Sequence, residues 1–166
     1  YGTMRVEYAE LGEKMNFEIL HVTEYIQQLT KKKKIKYKRE VPVTVTWHDP
    51  CHMGRMGRAY VPGKDLEGVY EEPREILKGI PGVELVEMER IREYAWCCGG
   101  GGGAFTAFKD FAQWTARERI EEAKDTGADI MVTSCPWCET NLRAGGAGMD
   151  EKMEIVDIFD LMMQAL

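Results

Sequence analysis

Phe17 to Val22 (FEILHV) is an apolar run of strand length, and Thr23 after it can cap a helix running through Ile26 and Leu29. A lysine-rich stretch follows. Val43-Thr44-Val45-Thr46-Trp47 then predicts a β-branched strand, stopped by the turn signal His48-Asp49-Pro50. Pro73 suits the first turn of a short helix ending before Gly79, and Pro81-Gly82 turns into a strand over Val83 to Met88. Beyond a charged connection stand Cys97, Cys98 and a glycine run, Gly99 to Gly103. Phe108, Phe111, Ala112, Thr115, Ala116, Ile120 and Ala123 fall on one broad face of a long helix that Gly127 stops. Trp114 lies off that stripe and is expected to touch a neighbouring element. A strand over 129–133, a small-residue segment, a strand over 153–156 and a helix over 157–166 close the pattern.

Strands alternating with helices imply right-handed crossovers and an α/β fold, a mostly parallel sheet flanked by helices. Open sheets of this kind bind ligands beyond the carboxyl ends of their strands. All the cysteines fall there: Cys51 after the strand 43–47, Cys97 and Cys98 after 83–88, Cys135 and Cys138 after 129–133.

The 166 residues, 44% of them hydrophobic, suit one compact domain or one domain plus a fragment. No apolar run approaches the roughly 18 residues of a membrane helix, so no span of its own is expected. The net charge of −6 argues against nucleic acid as a partner. Seven of the 22 basic residues lie between Lys31 and Arg39, so residues 31–40 read as a solvated basic linker. Five cysteines cannot all pair within one chain, and no secretion signal is visible. A reducing, cytoplasmic compartment is therefore expected, where clustered cysteines point to metal or redox chemistry.

The chain opens Tyr1-Gly2-Thr3-Met4, which reads as the middle of something longer. Arg5 and Glu13-Lys14-Met15 recur, at one common offset, as Arg143 and Glu151-Lys152-Met153. After a two-residue shift, Ile19, Val22, Glu24 and Ile26 match Ile155, Ile158, Asp160 and Met162 in kind. Both segments read as helix, strand, helix. Residues 1–30 are thus expected to be the tail of a first module whose front, with its own cysteines, is missing, and residues 41–166 the complete second copy.

Cys135-x-x-Cys138 is a two-ligand chelate stiffened by Pro136. Adjacent Cys97 and Cys98 can reach one centre only from an irregular loop, because neighbouring side chains of a strand face opposite ways. Gly99 and Gly100 supply that irregularity and remove β-carbons that would crowd a bulky group. Structural zinc takes four ligands and leaves one cysteine without a role, whereas a multinuclear iron–sulfur cluster can use all five. Other readings compete. The CxxC can be a thioredoxin-like pair, though such a motif normally opens a helix near a chain's first strand. The glycine run can cradle a phosphate, but no Lys-Ser/Thr follows it. His48 and His52, flanking Cys51, can ligate metal, deliver protons or brace the loop. Arg55 and Arg58 can face an anionic cluster or substrate, or water.

His48-Asp49-Pro50-Cys51-His52-x-Gly54-Arg55, Trp96-Cys97-Cys98-Gly99-Gly100-Gly101-Gly102 and Ser134-Cys135-Pro136-x-Cys138 together resemble the CCG cysteine-rich domain. That Rossmann-like module occurs in heterodisulfide reductase catalytic subunits and related iron–sulfur subunits, usually as two tandem copies. The resemblance implies that Cys51, Cys97, Cys98, Cys135 and Cys138 ligate a noncubane [4Fe–4S] cluster, beside Gly99 and Gly100. It implies an oxidoreductase subunit that reduces a heterodisulfide or another disulfide-like or thiol substrate within a multisubunit anaerobic complex. Partners would be ferredoxin-type iron–sulfur, flavin or cytochrome subunits, and any membrane association would come through them. His52 and Arg55 would act on the substrate. The family also contains electron relays for flavin- or quinone-linked hydroxyacid or acyl-CoA oxidoreductases, and a structural zinc module is the rival from another class. The 45 residues between Cys51 and Cys97 exceed the family's usual spacing. The extra length falls in Tyr60 to Val69, where it can reshape a substrate mouth.

Overall fold

The computed structural model describes residues 1–12, 15–57 and 68–166. Its centre is a four-stranded, all-parallel sheet in the order β2-β1-β3-β4, formed by β1 (Val43–Trp47), β2 (Val83–Val86), β3 (Ile130–Thr133) and β4 (Glu154–Asp157). Val43 pairs with Val83, Val45 with Ile130, and Ile130 with Glu154. Helices occupy the connections, α3 (Glu71–Gly79), α4 (Ala104–Ala107), α5 (Lys109–Lys124) and α6 (Pro136–Gly146), and α7 (Ile158–Ala165) follows β4. Residues 1–31 contribute a helical segment, π-helical over Thr3–Glu7 and continuing as α1 (Tyr8–Glu10), and then α2 (Val22–Lys31).

The period-2 alternation of strand side chains divides the apolar residues between two cores. Val45, Trp47, Ile130, Val132 and Val156 face α3 and α7, where Ile76, Leu77, Ile158 and Leu161 close the layer. Met131 and Ile155 face the other way, onto Ala116, Ile120 and Ala123 of α5 and Leu142 of α6. β3, at the centre with both faces covered, is buried throughout, whereas β1 and β2 carry Thr44, Thr46 and Glu84 on the second face. The chain leaves β1 for β2 on one side and returns past it to β3 on the other. The carboxyl ends of β1 and β3 therefore flank the crevice that such a reversal opens. Cys51 follows β1 and Cys135 follows β3.

The structure departs from the sequence expectations in instructive places. Phe17 to Val22 forms no strand: it joins none of the sheet's strands, and Phe17 is 56% exposed. The cap of α2 is His21, not Thr23. Its Nδ1 accepts from the Thr23 backbone N–H at 3.3 Å, while Glu24 Oε2 accepts from the His21 N–H at 2.6 Å. On α5, Phe108 and Phe111 point outward, 67% and 61% exposed; the buried stripe is Ala112, Ala116, Arg119, Ile120 and Ala123. The small-residue segment is a helix, α6, which opens inside the CxxC with Cys135 as its N-cap and Pro136 in its first turn. Its small residues let it lie close to α5: a β-carbon on Gly145 would stand 2.6 Å from that of Ala116.

The N-terminal segment packs onto the module. Tyr1 and Ile26 pack against the core on the α3 side and α2 lies beside α3, while within the segment Tyr1 meets His21 edge-on at 5.2 Å and Arg5 pairs with Glu24 at 3.2 Å. Among the described residues, no helix is long and apolar enough to cross a membrane.

Candidate metal centre

The loop that presents Cys51 is anchored by a buried carboxylate. Asp49 accepts two hydrogen bonds from Arg74 at 2.7 and 2.8 Å, one from Trp47 Nε1 at 2.9 Å and one from the Arg92 backbone N–H at 2.8 Å. Burial pushes the Asp49 pKa up, but the paired Arg74 and the other donors outweigh it and hold the carboxyl below its usual range. Arg74 also binds Glu87 at 2.7 Å, so one buried guanidinium joins α3, the loop after β2 and the Cys51 loop.

The five cysteines come together, and none is in a disulfide. Side-chain interactions run in series from Cys51 to Cys97, from Cys97 to Cys98, from Cys98 to Cys138, and from Cys138 to Cys135. Cys98 and Cys138 are buried, Cys51 and Cys135 half-buried, and Cys97 exposed. So crowded a set cannot ionise together. Cys138 lies against both Cys98 and Cys135 and holds them down, to about 4 and about 6, against the opposing effect of burial. Cys138 is itself pushed up by Cys135 and Cys98, and Cys51 by Cys97, with burial adding in both cases. Cys135 gains further from the backbone N–H groups of Trp137 and Cys138 at the start of α6. With Cys98 and Cys135 held down while Cys51 and Cys138 are pushed up, the sulfurs form a soft, multi-sulfur donor set, which fits iron–sulfur chemistry.

The loop around Cys97 and Cys98 depends on its glycines and on α6. Asn141, fully buried, donates from Nδ2 to the carbonyl of Cys98 and, at 3.0 Å, to that of Ala112. Gly99 has φ +84°, and a β-carbon there would stand 2.7 Å from the Ala112 carbonyl oxygen and 2.8 Å from Thr115 Cβ. Gly99→Ala is therefore expected to cost roughly 2–5 kcal/mol, from left-handed strain plus overpacking. At Gly101 a β-carbon meets nothing within 4 Å. Gly101→Ala should stay within about 0.5 kcal/mol of the parent. Urea denaturation of both variants checks the contrast.

His52 and Arg55 separate in role. His52 is exposed and, with Cys135, Met53, Ser134 and Tyr1, lines a cleft of about 270 Å³. Arg55 is occupied: Nη2 donates to Cys51 Sγ at 2.8 Å, and Nη1 to the carbonyls of Glu93 at 2.8 Å and Ala95 at 2.6 Å. Arg58 and the greater part of the Tyr60–Val69 loop, through residue 67, lie outside the described residues. His48 is wholly buried, and burial, then neighbouring Arg119, lowers it to about 3, leaving it neutral. One of its ring nitrogens and the sulfurs of Cys98 and Cys138 lie within 4.8 Å of one another.

Sequence reasoning missed the roles of Asp49, Arg74, Arg119 and Asn141. Only Arg119 carried a readable signal, since it falls on the Ala112–Ala116–Ala123 helical stripe, where a charge needs a buried partner. It has one in Glu122, at 2.6 Å.

Residues 45–143 match the family model described as the cysteine-rich domain, CCG. Similar proteins include a dihydromethanophenazine:CoB–CoM heterodisulfide reductase subunit of Methanosarcina acetivorans, 42% identical over 94% of this chain and 36% of that protein. The probable iron-sulfur-binding oxidoreductase FadF of Bacillus subtilis is 33% identical over the whole chain and 22% of its own length. The EtfAB:quinone oxidoreductase of Syntrophomonas wolfei is 29% identical over the whole chain and 23% of its own length. The chain thus spans about a third or less of the curated relatives it matches.

Proposed function

Because this chain belongs to the CCG cysteine-rich domain family, we propose that it carries a noncubane [4Fe–4S] cluster on Cys51, Cys97, Cys98, Cys135 and Cys138 and reduces a disulfide-like substrate. The observation that carries this reading is the unbroken series of five cysteines at the β1/β3 crevice, opening through Cys135 into a cleft lined by His52. A purely relaying centre gains nothing from such an opening.

A bound cluster supplies single electrons to a substrate sulfur. Reduction of a disulfide to two thiols consumes two electrons and two protons, and the electrons come from a partner redox subunit of ferredoxin, flavin or cytochrome type. The chain's own groups do the rest. The cleft seats the substrate against Cys135, and His52 at its wall gives a proton to the leaving thiolate. Arg55 acts as a positioning residue: its guanidinium holds Cys51 and the backbone before Cys97 in register. Gly99 and Gly100 let the Cys97–Cys98 loop lie against α5 and α6, where a β-carbon would stand 2.7 Å from the Ala112 carbonyl oxygen and 2.9 Å from Asn141 Cβ.

We also take residues 1–30 as the tail of a first module, 31–40 as a linker and 41–166 as the complete module. The helical segments Thr3–Glu10 and Val22–Lys31 support this, because the repeat register sets them opposite α6 and α7.

His52→Ala in the anaerobically prepared protein, assayed with a disulfide acceptor, tests the reading. Turnover should fall by roughly 10²-fold or more, the usual contribution of a proton donor, with iron content unchanged. Unchanged turnover removes His52 from the chemistry and favours the electron-relay alternative. The zinc alternative would draw on His48, Cys98 and Cys138.

A further inference from the structure

We propose that His48 is not a metal ligand but a buried hydrogen-bond donor to the sulfurs of the centre, its Nε2–H held toward Cys98 and Cys138 by Arg119. The inference rests on the reading that the site holds an iron–sulfur cluster.

Arg119 fixes the tautomer. Its Nε lies 3.2 Å from His48 Nδ1, and a guanidinium only donates, so Nδ1 must accept with its lone pair. The imidazole is then neutral and its single proton sits on Nε2. Arg119 is fixed in turn: Nη1 donates to Glu122 Oε2 at 2.6 Å and to the carbonyl of Arg90 at 3.0 Å. His48 is also tied at its backbone, whose N–H donates to the Val132 carbonyl at 2.9 Å. His48 therefore presents Nε2–H, and that atom is buried with no hydrogen-bond partner among the described residues. A buried, unsatisfied donor costs about 1–3 kcal/mol. The groups placed to satisfy it are the sulfurs of Cys98 and Cys138, which share a 4.8 Å group with a nitrogen of this ring.

The same three residues look like a zinc site by proximity alone. The tautomer decides against it: a protonated Nε2 has no lone pair for a metal, and freeing Nδ1 would strand the Arg119 Nε–H. A donor to sulfur does have a consequence for redox chemistry. An added electron raises the negative charge on sulfur and strengthens an N–H···S bond, so the donor stabilises the reduced state and raises the potential. His48 thus sets how readily the centre accepts an electron, and Arg119 with Glu122 fixes the ring that does so.

Two measurements test this. Histidine ¹⁵N spectra of the anaerobically purified protein should show His48 as the neutral tautomer protonated at Nε2. A metal-bound Nε2, or the Nδ1–H tautomer, would overturn the assignment. EPR-monitored redox titration should find the potential of His48→Leu lowered, by roughly tenfold in the reduction equilibrium, or about 59 mV for one electron. His48→Gln, which keeps an acceptor for Arg119 and a donor at the ε position, should stay near the parent. A leucine variant with unchanged potential rejects the donor role, and loss of iron from both variants marks His48 as a ligand or scaffold. If neither variant folds, the tautomer of the unsubstituted protein decides. Zinc without sulfide in the unsubstituted protein would defeat the iron–sulfur reading instead, and the ¹⁵N tautomer would still answer separately for His48.

Discussion

Cys98→Ala is expected to leave a folded protein that no longer retains iron or acid-labile sulfide. Cys98 stands in the middle of the thiol series, in contact with Cys97 on one side and Cys138 on the other. Its sulfur is buried, so no water takes its place cheaply. The fold should survive, because the Asn141 bond that anchors this loop goes to the Cys98 carbonyl, which alanine keeps. Residues that merely support a metal site cost about 10–100-fold in affinity; loss of a central donor should exceed that. Iron and sulfide assays, with circular dichroism as the control for folding, give the result. Full occupancy in this variant would remove Cys98 from the ligand set and leave four cysteines, the number zinc uses.

Arg74→Met should destabilise the fold far more than the loss of any exposed ion pair. Arg74 and Asp49 are 1% and 2% exposed, and the substitution strands a buried carboxylate. Breaking one side of such a pair costs about 3–5 kcal/mol. For a chain of this size that corresponds to a fall in Tm of roughly 6–20 °C. The exposed Lys31–Glu75 pair, at 3.1 Å, is the comparison, and Lys31→Met should cost about 0–1 kcal/mol. Adding Asp49→Asn to the Arg74 variant should recover part of the loss, because the one carboxylate then left without Arg74, Glu87, is exposed to water. Stability should also depend on pH in one direction. Asp49 is held below its ordinary range, so its contribution is complete at neutral pH and disappears only as the pH falls below about 4. A calorimetric Tm for Arg74→Met within 2 °C of the parent would show that the Cys51 loop is anchored by something else.

The β-branched run 43–47 and the cysteines beyond each strand announced the parallel sheet and the end of it where the cysteines meet, because strand periodicity and Gly/Pro punctuation are local signals. What stayed hidden was set by tertiary partners. Phe17 to Val22 has a strand's composition, but a strand needs a neighbour, and this segment joins no strand of the sheet. Phe108 and Phe111 completed an apolar stripe on paper, yet Phe108 stands outside α5 as its N-cap, both rings face solvent, and Arg119 takes a buried place. α6 was obscured by Gly145 and Gly146, poor helix signals that the close approach to α5 demands. Asp49 looked like turn punctuation, and nothing nearby in sequence betrays that Arg74, 25 positions on, needs it. Charged residues in the core are legible only once their partners are placed.

Whether the five thiols hold an iron–sulfur cluster is decided by metal and sulfide analysis of the anaerobically purified protein, with EPR across a redox titration. The five-thiol centre predicts iron and acid-labile sulfide in equal amounts, together with a paramagnetic signal that appears on a one-electron change. Stoichiometric zinc with no sulfide and no such signal would contradict it.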